Sequence, residues 1–334
     1  MRSALSLLAG AALLAALGWW FGFADAAAAL RRAQPTGLLA YAAWTALVVG
    51  LLVIRWRLVA AAVGAGAPAG RLTAARLAGD AAGALLPLAR VSGDPLRALL
   101  ARGDGTPLST ATAGVAIDRL LEVTGNLLAV IVYVSVFSFA TAAGGHAPRS
   151  VAAGTALLLV LLLALYVRLA RGQRPLAPLY GARAARLLGA GRAHWLDGIR
   201  RVEAHLIAFF RAHRLTFVAG LGLSVLIELV VILQYRALLG AFGVSLELPV
   251  LLLVLLGGGV ARAVPTPAAL GALEAAQVMT LGAATGHPEL GFVVGLIVRL
   301  HETLLIGAGV VALALLGISP ARLPGLATRR VPVS

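Results

Sequence analysis

No cysteine and no lysine occur in the 334 residues. Without cysteine there is no disulfide, thiolate zinc site, iron–sulfur cluster or cysteine nucleophile, and the redox compartment leaves no mark on the chain. Without lysine, all 28 basic side chains are arginine. Only 13 acidic side chains offset them, which leaves a formal charge of +15. Charge of either sign is nonetheless sparse, at 12% of residues against 60% hydrophobic, with a mean hydropathy of +0.95. So few polar groups could not cover a soluble globule of this size. The composition is that of an all-α, polytopic integral membrane protein.

Chemistry-bearing motifs are also missing. There is no phosphate-binding loop, HExxH or GxSxG, and Ser92, Ser109 and Thr112 have no histidine nearby in sequence. Neither ATP hydrolysis nor a nucleophilic enzyme is expected, and no cofactor is implied. The basic clusters sit between apolar runs, where they read as orientation signals for membrane loops. With no aromatic platforms or binding motifs, nucleic acid is not an expected partner.

What the chain does contain is a repeat. Leu85 to Ala129 and Pro265 to Gly309 say the same thing twice: adding 180 sends Pro87 to Pro267, Asp94 to Glu274, Arg119 to Arg299 and Glu122 to Glu302. A long repeat with proline- or glycine-broken segments at equivalent places in a membrane chain points to a transport site between the copies.

Taken in order, Leu5 to Phe23 reads as a retained first span with an interfacial Trp19-Trp20-Phe21 belt, and Leu38 to Ile54 as a second, closed by an Arg55-Trp56-Arg57 anchor. Residues 71 to 107 carry too many charges for a span. They read as a re-entrant hairpin, with one arm Leu72 to Leu86, a break at Pro87, and a short helix opened by Asp94 as N-cap and Pro95. Ser109 to Ala143 and Val151 to Val167 cross. The arginine-dense stretch 168–214 reads as an amphipathic linker on the cytoplasmic face, with Leu196, Ile199, Val202, Leu206 and Phe209 on its apolar side. Leu215 to Tyr235 crosses. Leu248 to Gly259, ending at Gly257-Gly258-Gly259, makes a second hairpin with Pro265 to Ala284, and Leu290 to Ile318 crosses last.

The expected fold is therefore about six full transmembrane helices plus two re-entrant hairpins, with halves 36–143 and 216–318 in inverted orientation within one membrane domain over 1–334. Arginine counts, including Arg322, Arg329 and Arg330 in the tail, put both termini in the cytoplasm.

Asp118, Arg119 and Glu122, and Arg299 and Glu302 in the other copy, lie about 14 to 20 Å into their helices at about 1.5 Å per residue, near the middle of a hydrocarbon core about 30 Å thick. A charge there costs at least roughly 2.5 kcal/mol on insertion scales, so these groups must pair or meet water. The spacing of three between Arg119 and Glu122, and between Arg299 and Glu302, allows pairing within a helix. Either they are internal salt bridges pinning the halves or they line a cavity. Asp94 is explained by capping alone, which makes Glu274, inside its helix, the more informative of that pair. Arg76, Asp80, Arg90 and Arg97 either face water or receive a lipid phosphate. Glu228 stands alone in its span, with Arg262 as a possible partner, and His301 beside Glu302 suggests a proton relay, a metal site or a hydrogen-bonded neighbour.

LLPLARVSGDPLRALL, IDRLLE, PTPAALGALEAAQ and VRLHETLL together resemble the flippase-like superfamily that includes the membrane portion of lysylphosphatidylglycerol synthases; AGDAAGALLPLARVSGDPLRALL is most similar to the hopanoid-biosynthesis-associated HpnL-like membrane proteins. The resemblance covers roughly residues 36 to 318. It implies a bacterial inner-membrane protein that moves a lipid, a phospholipid or a hopanoid-related one, between leaflets. Gly93, Asp94, Arg97, Asp118, Arg119, Gly271, Glu274, Arg299 and Glu302 fall on the family's motif positions. With Arg90 and Glu122 from the residue pattern, these charged positions are the candidate cavity. No aminoacyl-transferase domain follows, so lipid aminoacylation is not expected. Pro267-Ala268-Ala269 stands where relatives carry a Pro-Gly-Gly-type turn. The other reading is a non-transporting scaffold for lipid-biosynthesis enzymes.

Overall fold

The computed structural model describes residues 30–85, 93–102, 106–141, 149–175, 193–264 and 269–315, with the isolated positions 28 and 177. The expected first span, the breaks at Pro87 and Pro267, Arg90, and the arginines of the tail lie outside them.

All regular structure among these residues is α-helical: α1 Pro35–Ala62, α2 Ala69–Leu85, α3 Asp94–Ala101, α4 Leu108–Thr141, α5 Arg149–Ala170, α6 Ala193–Ala212, α7 Arg214–Gly240, α8 Leu248–Ala263, α9 Ala272–Thr285 and α10 Pro288–Leu315. Five are long and apolar enough to cross a membrane, namely α1, α4, α5, α7 and α10. The chain is thus a multi-pass membrane protein. Helices α2 and α8, of 17 and 16 residues, reach only about 25 Å at 1.5 Å per residue.

The 180-residue offset carries α1 onto α7, α2 onto α8, α3 onto α9 and α4 onto α10. Helices α1 and α7 pack along their length in opposite directions. The Gln34 amide donates to the Ala241 carbonyl at one end, Gln234 to Thr45 further in, and Arg55 to Ser224 beyond that. Helices α1 and α7 therefore point opposite ways. The halves also interlock, since α2 packs on α10 and α8 on α4.

Bare backbone makes this packing possible. A Cβ on Gly309 of α10 would stand 2.2 Å from the Leu77 carbonyl oxygen of α2, and one on Gly291 2.4 Å from the Gln277 carbonyl oxygen of α9. Gly257-Gly258-Gly259 does not end its helix as expected, because α8 runs on to Ala263. The triplet instead lets α9 come close: a Cβ on Gly257 would meet Thr280 Cγ2 at 2.8 Å. The turn into α9 confirms the backbone demand at the alanine-for-glycine departure. Ala269 takes φ 51° and Gly271 φ 78°, a left-handed region that costs an alanine roughly 1 kcal/mol or more.

The anchor expected at the end of the second span is only partly at a surface, since Arg57 is exposed but Arg55 and Trp56 lie inside the bundle. Helix α1 continues seven residues past Arg55, whose side chain is buried with Trp56, and Tyr235 is buried within α7. In the linker, α6 buries Leu196, Leu206, Phe209 and Phe210, together with Glu203, and packs on α4 and α5. Its amphipathic face covers protein, and His213 breaks it from α7.

Gly309→Ala and Gly307→Ala, two residues apart on α10, separate interlocking from helix propensity, because a Cβ on Gly307 meets nothing within 4 Å. Gly309→Ala is expected to destabilise by about 1–3 kcal/mol through overpacking. Gly307→Ala should be neutral or stabilise by about 0.5–1 kcal/mol. Thermal unfolding of the detergent-solubilised protein, followed by tryptophan fluorescence, checks both.

Candidate functional site

Two charge clusters form, one against each hairpin. In the first, α4 carries Asp118, fully buried, which accepts from Arg55 Nε at 2.9 Å, Arg76 Nη1 at 3.3 Å and Arg97 Nη2 at 2.8 Å. One turn on, Glu122 accepts from Arg55 and Arg76 at 3.3 Å and from Arg119 at 2.7 Å. Arg119 grips Asp94, at the start of α3, with Nε at 2.9 Å and Nη2 at 2.7 Å. Arg97 also reaches Asp94, and its guanidinium lies 4.5 Å over the Trp56 ring, a cation–π contact. Arg76 Nε reaches the half-exposed Asp80 at 3.4 Å. Four arginines thus meet four carboxylates.

The second cluster repeats the same fork. Arg299 grips Glu274 with Nε at 2.8 Å and Nη2 at 3.2 Å, and turns Nη1 to Glu302 at 3.3 Å. This is the Asp94–Arg119–Glu122 arrangement moved by 180 residues. Arg299 Nη2 also donates to the carbonyl of the left-handed Ala269 at 3.0 Å, so the fork fixes the strained turn. Arg262 at the end of α8 donates Nε to Glu302 at 3.1 Å. Beside it, the Tyr41 hydroxyl and His301 Nδ1 are 2.9 Å apart.

The clusters differ in closure. Side-chain exposure is 0% at Asp118, Arg97 and Glu274, 12–16% at Glu122, Asp94 and Arg119, 19% at Glu302 and 33% at Arg262. The first cluster therefore has a sealed inner pair, Asp118 with Arg97, and the second a sealed carboxylate, Glu274, held by a partly open Arg299; the rim is widest at Arg262. Polar atoms are left over there too. Among the described residues, both amide atoms of the buried Gln277 and His301 Nε2 lack a hydrogen-bond partner, and Arg262 uses only Nε. A Cβ on Gly258 would lie 3.1 Å from Gln277 Nε2 and 3.4 Å from Arg262 Nη1. Gly258 thus leaves the space that the two groups face. Unpaired buried polar atoms cost about 1–3 kcal/mol each, and persist where something else satisfies them.

Of the candidates named from sequence, Asp94, Arg97, Asp118, Arg119 and Glu122 come together in the first cluster, and Glu274, Arg299 and Glu302 in the second; Arg90 lies outside the described residues. Several details differ from expectation. Gly93, not Asp94, is the N-cap, and the Asp94 carboxylate makes no cap bond because Arg119 holds it. Glu274 lies in the first turn of α9 and accepts from the Gly271 amide at 2.9 Å, so it is the capping member of the pair. Arg76 is buried instead of facing water. Glu228 pairs with Tyr133, not Arg262. Arg55, Arg262 and Gln277 were missed as site residues. Arg55 could have been found by extending the helix one turn past the apolar run, but Gln277 carries no sequence signal.

Asp118→Asn would leave three buried guanidinium groups short of one anion. It is expected to destabilise the fold by about 3–5 kcal/mol, read as loss of monodisperse protein on size exclusion. Glu302→Gln, at the open rim where Arg262 is a third exposed, should cost far less by the same measurement.

Among known protein families, the one described as the lysylphosphatidylglycerol synthase TM region matches residues 7–321. No individually curated protein matches the chain, and no solved structure does.

Proposed function

Because the chain belongs to the family of lysylphosphatidylglycerol synthase transmembrane regions, membrane proteins tied to lipid metabolism, we propose that it is a carrier that moves a polar-headed lipid between the leaflets of a bacterial inner membrane, and not an enzyme. The observation that supports this reading best is a set of polar groups without a hydrogen-bond partner among the described residues: the Arg262 Nη atoms at the open rim and, buried near them, the Gln277 amide and His301 Nε2. A head group bearing an oxyanion and hydroxyls offers acceptors to the guanidinium and both kinds of partner to the amide. An unmodified hopanoid hydrocarbon offers neither. The buried carboxylates Asp118 and Glu274 hold the short helices while the rim pairs exchange partners with the head group, so that it crosses without meeting hydrocarbon.

The test is movement of a fluorescent phospholipid in proteoliposomes, followed by quenching of the outer leaflet with a membrane-impermeant reductant. The intact protein is expected to accelerate exchange over protein-free vesicles. Arg262→Gln leaves Glu302 still paired with Arg299 and should slow movement roughly tenfold, the loss of about 1.4 kcal/mol of head-group binding; Gln277→Leu should act likewise. No acceleration across several head groups, with and without a pH gradient, overturns the carrier reading, and a new covalent lipid product would assign a transferase instead.

A further inference from the structure

Glu122, Glu274 and Glu302 are each held in an ion pair by arginine. Glu228 is different. It lies at the middle of the 27-residue α7, and among the described residues no arginine comes within ion-pair distance. Its partners are neutral donors from α4. The Tyr133 hydroxyl donates to Oε2 at 3.2 Å, and the Asn126 side-chain amide lies 3.0 Å from Oε1; with its nitrogen turned toward Glu228 it also reaches the Glu122 backbone carbonyl at 3.3 Å.

The surroundings of this carboxyl are mapped by the elements packed on α7. From α4 come Tyr133, Asn126 and, one turn earlier, Glu122; from α1 comes Arg55, whose Nη1 donates to Ser224 one turn before Glu228. Arg55 and Glu122 are the two charges whose fields reach the carboxyl. Helix α8 brings only apolar side chains, Leu252, Leu255 and Leu256 around Tyr133. Helix α6 meets the far end of α7, where Phe210 touches Phe217.

We propose that Glu228 is a proton-binding site at the centre of the membrane span, and that loss of its proton draws Arg55 away from Glu122. A carboxylate there without a counter-charge costs several kcal/mol, so the proton stays unless a cation comes. The cation within reach is Arg55, already shared between Asp118, Ser224 and Glu122. An ionised Glu228 competes for the Nη atoms that hold Ser224 and Glu122. Nε stays on Asp118. Proton release therefore loosens the rim of the first cluster while its sealed pair remains. As coupling for transport this rests on the carrier reading; as a proton site it does not.

Infrared spectroscopy of the purified protein in lipid nanodiscs tests the site directly. A protonated-carboxyl stretch is expected at neutral pH, fading as the pH is raised and absent from Glu228→Gln. Tyr133→Phe, which keeps the carboxyl and removes one donor, is expected to shift the frequency of that band and its titration midpoint, and stands in should the Gln variant not fold. Spectra of the intact protein and Glu228→Gln that coincide at every pH, or a band that Tyr133→Phe leaves unmoved, overturn the proposal. In vesicles, an imposed pH gradient should alter lipid movement by up to about tenfold per pH unit, the limit for one proton, and Glu228→Gln should lose that dependence. Movement indifferent to the gradient in the intact protein overturns the coupling while leaving the carrier. Absence of movement overturns the carrier, and the infrared band still decides the site.

Discussion

The fold hangs on a planar fork: one guanidinium closing on a carboxylate at the start of a hairpin's return helix, Arg119 on Asp94 and Arg299 on Glu274. Each fork sits where a short helix begins, among backbone and charge that are largely buried. The fork serves both at once. It joins the hairpin to the long helix beyond it, and in the second half it also binds the Ala269 carbonyl and, through Glu274, the Gly271 amide. Two parallel hydrogen bonds fix direction as well as distance, which a lysine could not do. That accounts for a chain whose 28 basic residues are all arginine wherever those arginines are buried.

Bidentate bonds hold the hairpins, but glycine lets them approach. Gly79 and Gly93 in the first half, and Gly258, Gly291 and Gly295 in the second, sit where a Cβ would strike Arg97, backbone, Gln277 or Glu274. Close packing brings the guanidinium groups within reach of their carboxylates, and the ion pairs in turn keep helices together that have only lipid-like surfaces elsewhere. Helix α5, with Leu157, Leu159, Val160, Leu161 and Leu163 exposed, shows what the rest of the surface offers: apolar area that a lipid solvates as well as a neighbouring helix does.

Much of this was legible in the chain. The repeat set the helix correspondence because four matches in register demand the same local geometry twice, and the spacing of three between Arg119 and Glu122 allowed the pairing that forms. Arg55 was not legible, because a charge at the end of an apolar run looks the same whether the helix stops there or continues; only packing of α1 on α4 and α7 decides it. The glycine triplet misled for a similar reason. Three glycines can end a helix or expose its backbone to a neighbour, and α9 settles which. Gln277 left no trace, since an amide in an apolar helix acquires meaning only from what it fails to touch.

The two halves share a fork but not its surroundings, and the asymmetry bears on how such a molecule can work. Arg55 and Arg76 stand where the second copy has Tyr235 and Leu256, Asp118 where it has Val298, and Arg262 where the first copy has Ala82. The first cluster is consequently cross-braced by Asp118 and three arginines, whereas the second closes on fewer ion pairs and keeps spare polar atoms at Gly258. Equal halves in inverted orientation would give two states of equal energy, open to either side. Unequal bracing separates those energies, and a ligand or a proton shifts the balance only to the extent that it interacts differently with the two states. In the proposed carrier the braced half would be the fixed side and Arg55 the place to release it, because that one side chain touches Asp118, Glu122 and α7 together.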